Sequence, residues 1–176
     1  VTRAPVLLRS VLTELKHHFR EVLDERRLSL DIEQIGDVPF IEADPSLIYK
    51  MFYQLLSNAI KYTPDGGAIR ITAWLADVDG VGPAVAVAVE DSGVGIDPAH
   101  HALIFEKFYQ VGTAAQHSSG KTTFKGGGPG LGLALVKGAV EAHGGMVWVE
   151  SEGCDERRCP GSVFKVVLPL HAPDQS

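Results

Sequence analysis

Leu55-Leu56-Ser57-Asn58-Ala59-Ile60-Lys61-Tyr62-Thr63-Pro64 is the stretch on which the reading turns. It is the end of an apolar helix that becomes polar in its last turn. Leu47, Ile48, Met51, Phe52, Leu55, Leu56, Ala59 and Ile60 recur at spacings of three and four and make one broad face. Asp44-Pro45 marks the start, an N-cap acceptor followed by a proline in the first turn. Pro64 disfavours helical geometry in the residue before it, so the helix stops near Thr63. Asn58 stands three residues before Lys61 and four before Tyr62, so the three share a face. Taken alone, that face is either a binding edge or a helix end turning polar as it meets water.

Outward from this helix, Leu8, Val11, Leu12, Leu15, Phe19, Val22 and Leu23 predict another from Pro5 to about Arg26. Leu28, Leu30 and Ile32 then alternate as a strand. On the other side, Asp65-Gly66-Gly67 is a turn. Ile69, Ile71 and Ala73 alternate with Arg70 and Thr72, a Gly/Pro/Asp turn runs from Asp79 to Pro83, and Ala84 to Val89 is a strand of small residues; the pair reads as a hairpin. Asp97-Pro98 opens a short helix holding Leu103 and Ile104. Gly112 to Gly128 has no apolar periodicity, and a loop of that length is usually functional or mobile. A helix follows from about Gly130 to Ala142, closed by Gly144-Gly145. Met146 to Glu150 and Ser162 to Leu168 read as a last pair of strands, and His171 to Ser176 as a frayed tail. Neither a repeat nor a domain boundary is visible, so residues 1–176 read as one domain. Helices and strands mix without regular alternation, which predicts an α+β fold: two layers, with a mixed, mainly antiparallel sheet backing helices on one face.

Composition removes several classes. Apolar residues are 45% and charged residues 22%, which excludes a disordered chain. No apolar run approaches the roughly 20 residues of a membrane-spanning helix. Val1 to Ser10 show no secretory signal pattern, so a cytoplasmic setting is expected. A formal charge of −6 weighs against a nucleic-acid partner. Cys154 and Cys159 are too few for a disulfide scaffold, miss metal-site spacing, and are expected as free thiols.

Two further clusters carry chemistry. Asp91-Ser92-Gly93-Val94-Gly95-Ile96 follows a strand directly. Its alternate glycines let backbone turn tightly and let a ligand approach, and its aspartate can accept from an amino group. An ordinary strand-to-helix turn is the alternative. Gly126-Gly127-Gly128-Pro129-Gly130-Leu131-Gly132-Leu133 opens a helix. Amides at a helix start form an anion site, and five glycines in seven residues carry an entropic cost that phosphate binding explains better than a hinge does. A P-loop is rejected, because the glycine it needs five residues before Gly120 is Ala115. The Rossmann spacing G-x-G-x-x-G does not occur.

Taken in order, Asn58–Tyr62, Asp91–Gly95, Phe105–Phe108 and Gly128–Gly132 resemble the N box, first glycine box, F box and second glycine box of histidine kinase catalytic domains. The resemblance covers nearly the whole chain. It implies the Bergerat α/β sandwich shared with gyrase, heat-shock chaperone and mismatch-repair ATPases, with a mobile ATP lid over about 110–128. It also implies roles. Asp91 would accept the adenine amino group, so ATP should beat GTP. Gly93 and Gly95 would keep backbone clear of the base, Tyr62 would lie along it, and Ile96 would add an apolar wall. Asn58 would give its amide oxygen to Mg²⁺, a hard cation that takes oxygen ligands. Lys61 would neutralise phosphate charge beside Asn58, and these two are the residues expected to serve catalysis. Amides around Gly128, Gly130, Leu131 and Gly132 would hold the phosphates. Phe105 and Phe108 would anchor one end of the lid, with Lys107, Lys121 and Lys125 in or beside it.

Two departures from the family pattern bear on the reaction. The ATPase relatives place a water-activating glutamate one turn before the Mg²⁺ asparagine, and histidine kinases usually place asparagine there. This chain has Gln54, which cannot act as a base. That favours a kinase over a hydrolase. None of the seven histidines (His17, His18, His100, His101, His117, His143 and His171) is followed by Asp or Glu, as the family's phosphoaccepting histidine is. The implied arrangement is therefore a catalytic fragment. Its acceptor histidine would lie on upstream dimerisation helices of a homodimeric parent, membrane-anchored or not, and its phosphoryl group would pass on to a response regulator. The rivals are a related serine kinase of the anti-sigma type, an ATPase, and a degenerate module serving only as an interaction platform.

Overall fold

Asp44 caps its helix as the sequence predicts. Its carboxylate accepts from the Ser46 and Leu47 amides at 3.0 and 3.2 Å, and the helix α3 runs Pro45–Tyr62. The structure, a computed structural model, describes residues 1–109 and 131–173. Before α3 come β1 (Ala4–Val6), α1 (Leu8–His18), α2 (Arg20–Glu25), β2 (Ser29–Gln34) and β3 (Ile41–Ala43). After it come β4 (Ala68–Val78), β5 (Gly82–Asp91), α4 (Gly132–Ala142), β6 (Met146–Glu150) and β7 (Ser162–Pro169).

The main sheet has the order β2-β4-β5-β7-β6, with β2 parallel to β4 and every other neighbour antiparallel. This is the mixed, mainly antiparallel sheet that was expected. Its inner face presents Ile69, Ile71, Val85, Val87, Val89, Phe164 and Val166 to the buried sides of the helices, among them Leu12, Leu15, Phe52, Leu56, Val136 and Val140. The outer face carries a row in register, Trp74 beside Ala86, Ala86 beside Val167 and Val167 beside Met146. Trp148 packs near this row, and Trp74 and Met146 stay open to solvent.

The long first helix is not one rod. Pro5 lies in β1, which pairs antiparallel with β3 in a separate two-stranded sheet. A residue without an N–H fits such an edge strand. The chain then turns at Phe19, whose ring is buried against Tyr53 at 5.1 Å between centroids. Hydrogen bonding continues through the turn, from the Phe19 amide to Leu15 and from the Leu23 amide to Phe19, both at 3.0 Å. The helix expected after Asp97-Pro98 is two 3₁₀ turns, Pro98–His100 and Leu103–Phe105. α4 begins at Gly132, two residues later than expected. Its end is tied to the start of α3 through buried His143: Nε2 accepts from the Asp44 amide at 2.9 Å and Nδ1 donates to the Ala139 carbonyl at 2.6 Å.

Candidate functional site

The site begins where β5 ends. Asp91 is 5% exposed, and both carboxylate oxygens are engaged. Oδ1 accepts from the Gly93 amide at 2.9 Å and Oδ2 from the Ser162 hydroxyl at 3.0 Å. Burial pushes this carboxyl up to about 6, with those hydrogen bonds opposing the shift and neighbouring Glu90 adding to it. The residue is thus held in one orientation, and its carboxyl releases its proton at a higher pH than an ordinary aspartate does.

The backbone after Asp91 is braced from three directions. From α3, the Tyr62 carbonyl accepts from the Val94 amide at 3.1 Å. From the connection between β6 and β7, the Asp155 amide donates to the Val94 carbonyl at 2.8 Å and the Gly161 amide to the Gly93 carbonyl at 2.9 Å, while the Ser151 hydroxyl accepts from the Ile96 amide at 3.0 Å. From the following turn, His101 Nε2 meets the Ile96 carbonyl at 2.9 Å. Ile96 itself packs against the core. The two glycines also stand where a side chain would meet protein. A Cβ on Gly93 would stand 2.4 Å from the Tyr62 carbonyl oxygen, and one on Gly95, at φ +80°, would stand 1.9 Å from that of Gly153.

The other wall is the C-terminal turn of α3, and it is fixed from below. Buried Arg26 donates to the Ile60 and Thr63 carbonyls and pairs with Asp65 at 2.8 Å. These are carbonyls a helix end leaves without intrahelical partners. The Thr63 hydroxyl also donates back to Ala59 at 2.7 Å. Asn58, Lys61 and Tyr62 are all half-buried there, and burial pushes the Tyr62 phenol up. Gln54 lies one turn before Asn58 on the same face. A Cβ added to Gly132 would stand 2.5 Å from its Oε1, so this face of α3 looks at the start of α4. Leu131, the N-cap residue, is exposed and its side chain makes no capping hydrogen bond.

The F box divides. Phe105 is buried edge-on against Phe164 at 6.1 Å, whereas Phe108 is 71% exposed with φ +64°. Beside it His100 hydrogen-bonds Tyr109, and Lys107 is exposed. The expected lid over about 110–128, with Lys121, Lys125, Gly128 and Gly130, lies outside the described residues. α3 thus adjoins both other parts of the candidate site: Tyr62 meets Gly93 and Val94 after β5, and the face of Gln54 and Asn58 meets Gly132 at the start of α4. A groove of about 420 Å³ opens beside Asp91 on the side of the β6–β7 connection, lined also by Glu90, Glu150 and Glu152. That many carboxylates make it the wrong side for a polyphosphate.

Four supporting residues were not singled out in the sequence: Arg26, His101, Ser151 and Ser162. Each is polar and isolated in an otherwise ordinary segment, so periodicity carries no signal for it. Cys154 is exposed and Cys159 half-buried, and both are free thiols. Among the described residues, no group of three His, Cys, Asp or Glu side chains is placed to hold a metal ion, and no helix is long and apolar enough to cross a membrane.

The mixed sheet with helices packed on one face, closed by a buried aspartate at a strand end, is the fold of a nucleotide-binding class. The model of the histidine kinase-, DNA gyrase B-, and HSP90-like ATPases matches residues 43–172, and the chain belongs to that family. Within it, the similarity runs to sensor histidine kinases. The chain is 36% identical over 151 residues to the sensor histidine kinase CusS of Escherichia coli O157:H7, covering 86% of this chain and 27% of that protein. It is 32% identical over 170 residues to the adaptive-response sensory kinase SasA of Synechococcus sp. strain JA-2-3B'a(2-13), covering 97% and 39%. The mycobacterial sensor histidine kinase MprB superposes with a TM-score of 0.70 at 25% identity, covering 97% of this chain and 99% of that one. Full-length ShkA in complex with AMPPNP superposes at 0.75 with 26% identity, covering 98% and 32%. The chain spans well under half of the curated relatives it matches. It is the ATP-binding catalytic domain of the histidine kinase type.

Proposed function

We propose that residues 1–176 act as one catalytic domain that binds Mg-ATP between α3, the end of β5 and the start of α4. In this reading it presents the γ-phosphate to a histidine on a separate acceptor domain of the same protein, and a response regulator then receives the phosphoryl group. The observation that carries the reading is Asp91: a buried, doubly hydrogen-bonded carboxylate at a strand end, beside a helix face bearing Asn58 and Lys61. A fixed carboxylate suits the adenine amino group and opposes the guanine carbonyl. Asn58 fits Mg²⁺ by its donor: a half-exposed amide oxygen, hard and neutral, on the face that looks at the start of α4. When bound, the ion would screen phosphate charge. Asn58 holds it, Lys61 adds a cation, and the amides of α4 from Leu131 and Gly132 onward orient the phosphates, so the protein's share is positioning and electrostatics. Gln54 supplies no base for water, which favours transfer over hydrolysis.

The test is calorimetric titration of Mg-ATP into this chain, beside Asp91→Ala and a GTP control. Binding at micromolar strength, about −8 kcal/mol, that both controls lose supports the assignment. A well-folded chain that fails to bind ATP overturns it. Adding the acceptor helices and detecting phosphohistidine then tests the transfer step.

A further inference from the structure

The connection between β6 and β7 does more than join two strands. Residues 151–161 touch the segment after Asp91 at three backbone points, through Ser151, Asp155 and Gly161. The Ser151 hydroxyl is the node. It accepts from the Ile96 amide at 3.0 Å and donates to the Gly161 carbonyl at 2.8 Å. A longer contact, 3.4 Å, brings in the Gly153 amide. The Gly153 carbonyl at 3.3 Å is a second, more distant acceptor for the one proton a serine hydroxyl can give, and the two amides take its two lone pairs. It therefore joins both ends of the connection to the far end of the Asp91–Ile96 segment. The segment cannot relax away from the connection without breaking that node. It cannot close further either, because Gly95 already lies against the Gly153 carbonyl.

We propose that Ser151 is a positioning residue for nucleotide recognition: it sets the distance of Ile96 from Asp91, and so the width of the slot that receives the base. The proposal rests on the reading of Asp91–Ile96 as the adenine-binding segment. Ser151 touches no nucleotide in this account and acts through the Ile96 amide. Removing its oxygen leaves that part-buried amide without its acceptor, and an unpaired donor is costly enough to drive a local backbone shift.

The experiment compares wild type, Ser151→Ala, Ser151→Thr and Asp91→Ala in the same chain. Mg-ATP affinity is measured by calorimetry, and exchange of the Ile96 amide proton by NMR. Ser151→Ala should weaken ATP binding about tenfold and speed exchange at Ile96 while the β5 amides stay protected. Ser151→Thr, which keeps the hydroxyl, should restore both. Should the alanine variant not fold, Ser151→Cys takes its place, with similar volume and a weaker acceptor. Wild-type affinity in Ser151→Ala overturns the proposal, and so does a loss that threonine fails to rescue. If Asp91→Ala binds ATP like wild type, the adenine-site reading itself fails and the role of Ser151 falls with it. If Asp91→Ala loses binding and Ser151→Ala does not, only the role of Ser151 falls.

Discussion

The two ends of the candidate nucleotide site are built on opposite plans. At the end of β5 the backbone from Gly93 to Ile96 is tied to α3, to the β6–β7 connection and to His101. At the start of α4 the N-cap position holds an exposed leucine, whose side chain makes no capping hydrogen bond. α3 sharpens the contrast, since the carboxylate of Asp44 takes up two of its opening amides. One end of the site therefore has its geometry determined in advance by protein contacts. The other presents a helix start whose own N-cap side chain satisfies none of its amides. A rigid slot suits a flat base that must be told from similar bases. An open helix start suits a polyphosphate that must enter, react and leave.

The same chemical change should have opposite effects at Gly95 and in the body of α4. Gly95→Ala forces a Cβ to within 1.9 Å of a carbonyl oxygen at a positive φ. We expect a loss of about 3 kcal/mol or more in denaturant unfolding, with ATP binding abolished. A mild loss would mean that the braced end is softer than its contacts imply.

Next in size is the effect of Asp91. Its carboxyl stands at about 6 in the folded chain against 3.8 when unfolded. The folded form therefore holds the proton more tightly. The stability this provides is complete below about pH 4 and is lost as pH rises through about 6. Above that, the buried charge costs the fold up to about 3 kcal/mol. Asp91→Asn should accordingly raise the melting temperature at pH 7.5 and leave it nearly unchanged at pH 4. ATP affinity of the wild type should fall as pH drops through 6, and the asparagine variant supplies the flat reference. Equal melting temperatures at pH 7.5 would show that the site is wetter than its burial suggests.

Smaller still, Leu131→Asp places a carboxylate at the start of α4. It should hold or raise stability, by roughly 0.3–1 kcal/mol from the helix dipole. The same charge should weaken ATP about tenfold or more, as phosphate and carboxylate compete for the same end. Unchanged ATP affinity would remove the phosphate role of this helix start. The smallest effect belongs to Gly138→Ala, within α4, where an added Cβ meets nothing within 4 Å. It should gain about 0.5–1 kcal/mol, measured by the same denaturant titration that registers the loss at Gly95.

The sequence was legible where the relevant physics is local. The cap at Asp44, the stop at Pro64 and the hairpin of β4 and β5 depend on residues a few positions apart, and all three are found. The pairing of β1 with β3 was not legible, because each strand has three residues and the partners lie far apart in the chain. The turn at Phe19 was hidden for a related reason. Its apolar spacing continues on both sides, and only the packing of its ring on Tyr53 reveals it. At the site, Asn58, Asp91 and the glycines stand out by residue type. Their supports do not. Arg26 reaches Ile60, Ser151 reaches Ile96 and Ser162 reaches Asp91 across 34, 55 and 71 positions. Gly93 and Gly95 are visible in the sequence as glycines, but the carbonyls from distant segments that crowd them are not.

The row on the outer face of the sheet has a practical consequence. Trp74 and Trp148 are the chain's two tryptophans, and both belong to the face turned away from the helices. Indole emission will therefore follow the melting of the sheet and stay silent when nucleotide enters on the opposite side. An optical signal for occupancy has to be introduced, and replacing Tyr62 with tryptophan would put the fluorophore beside the Asp91 segment.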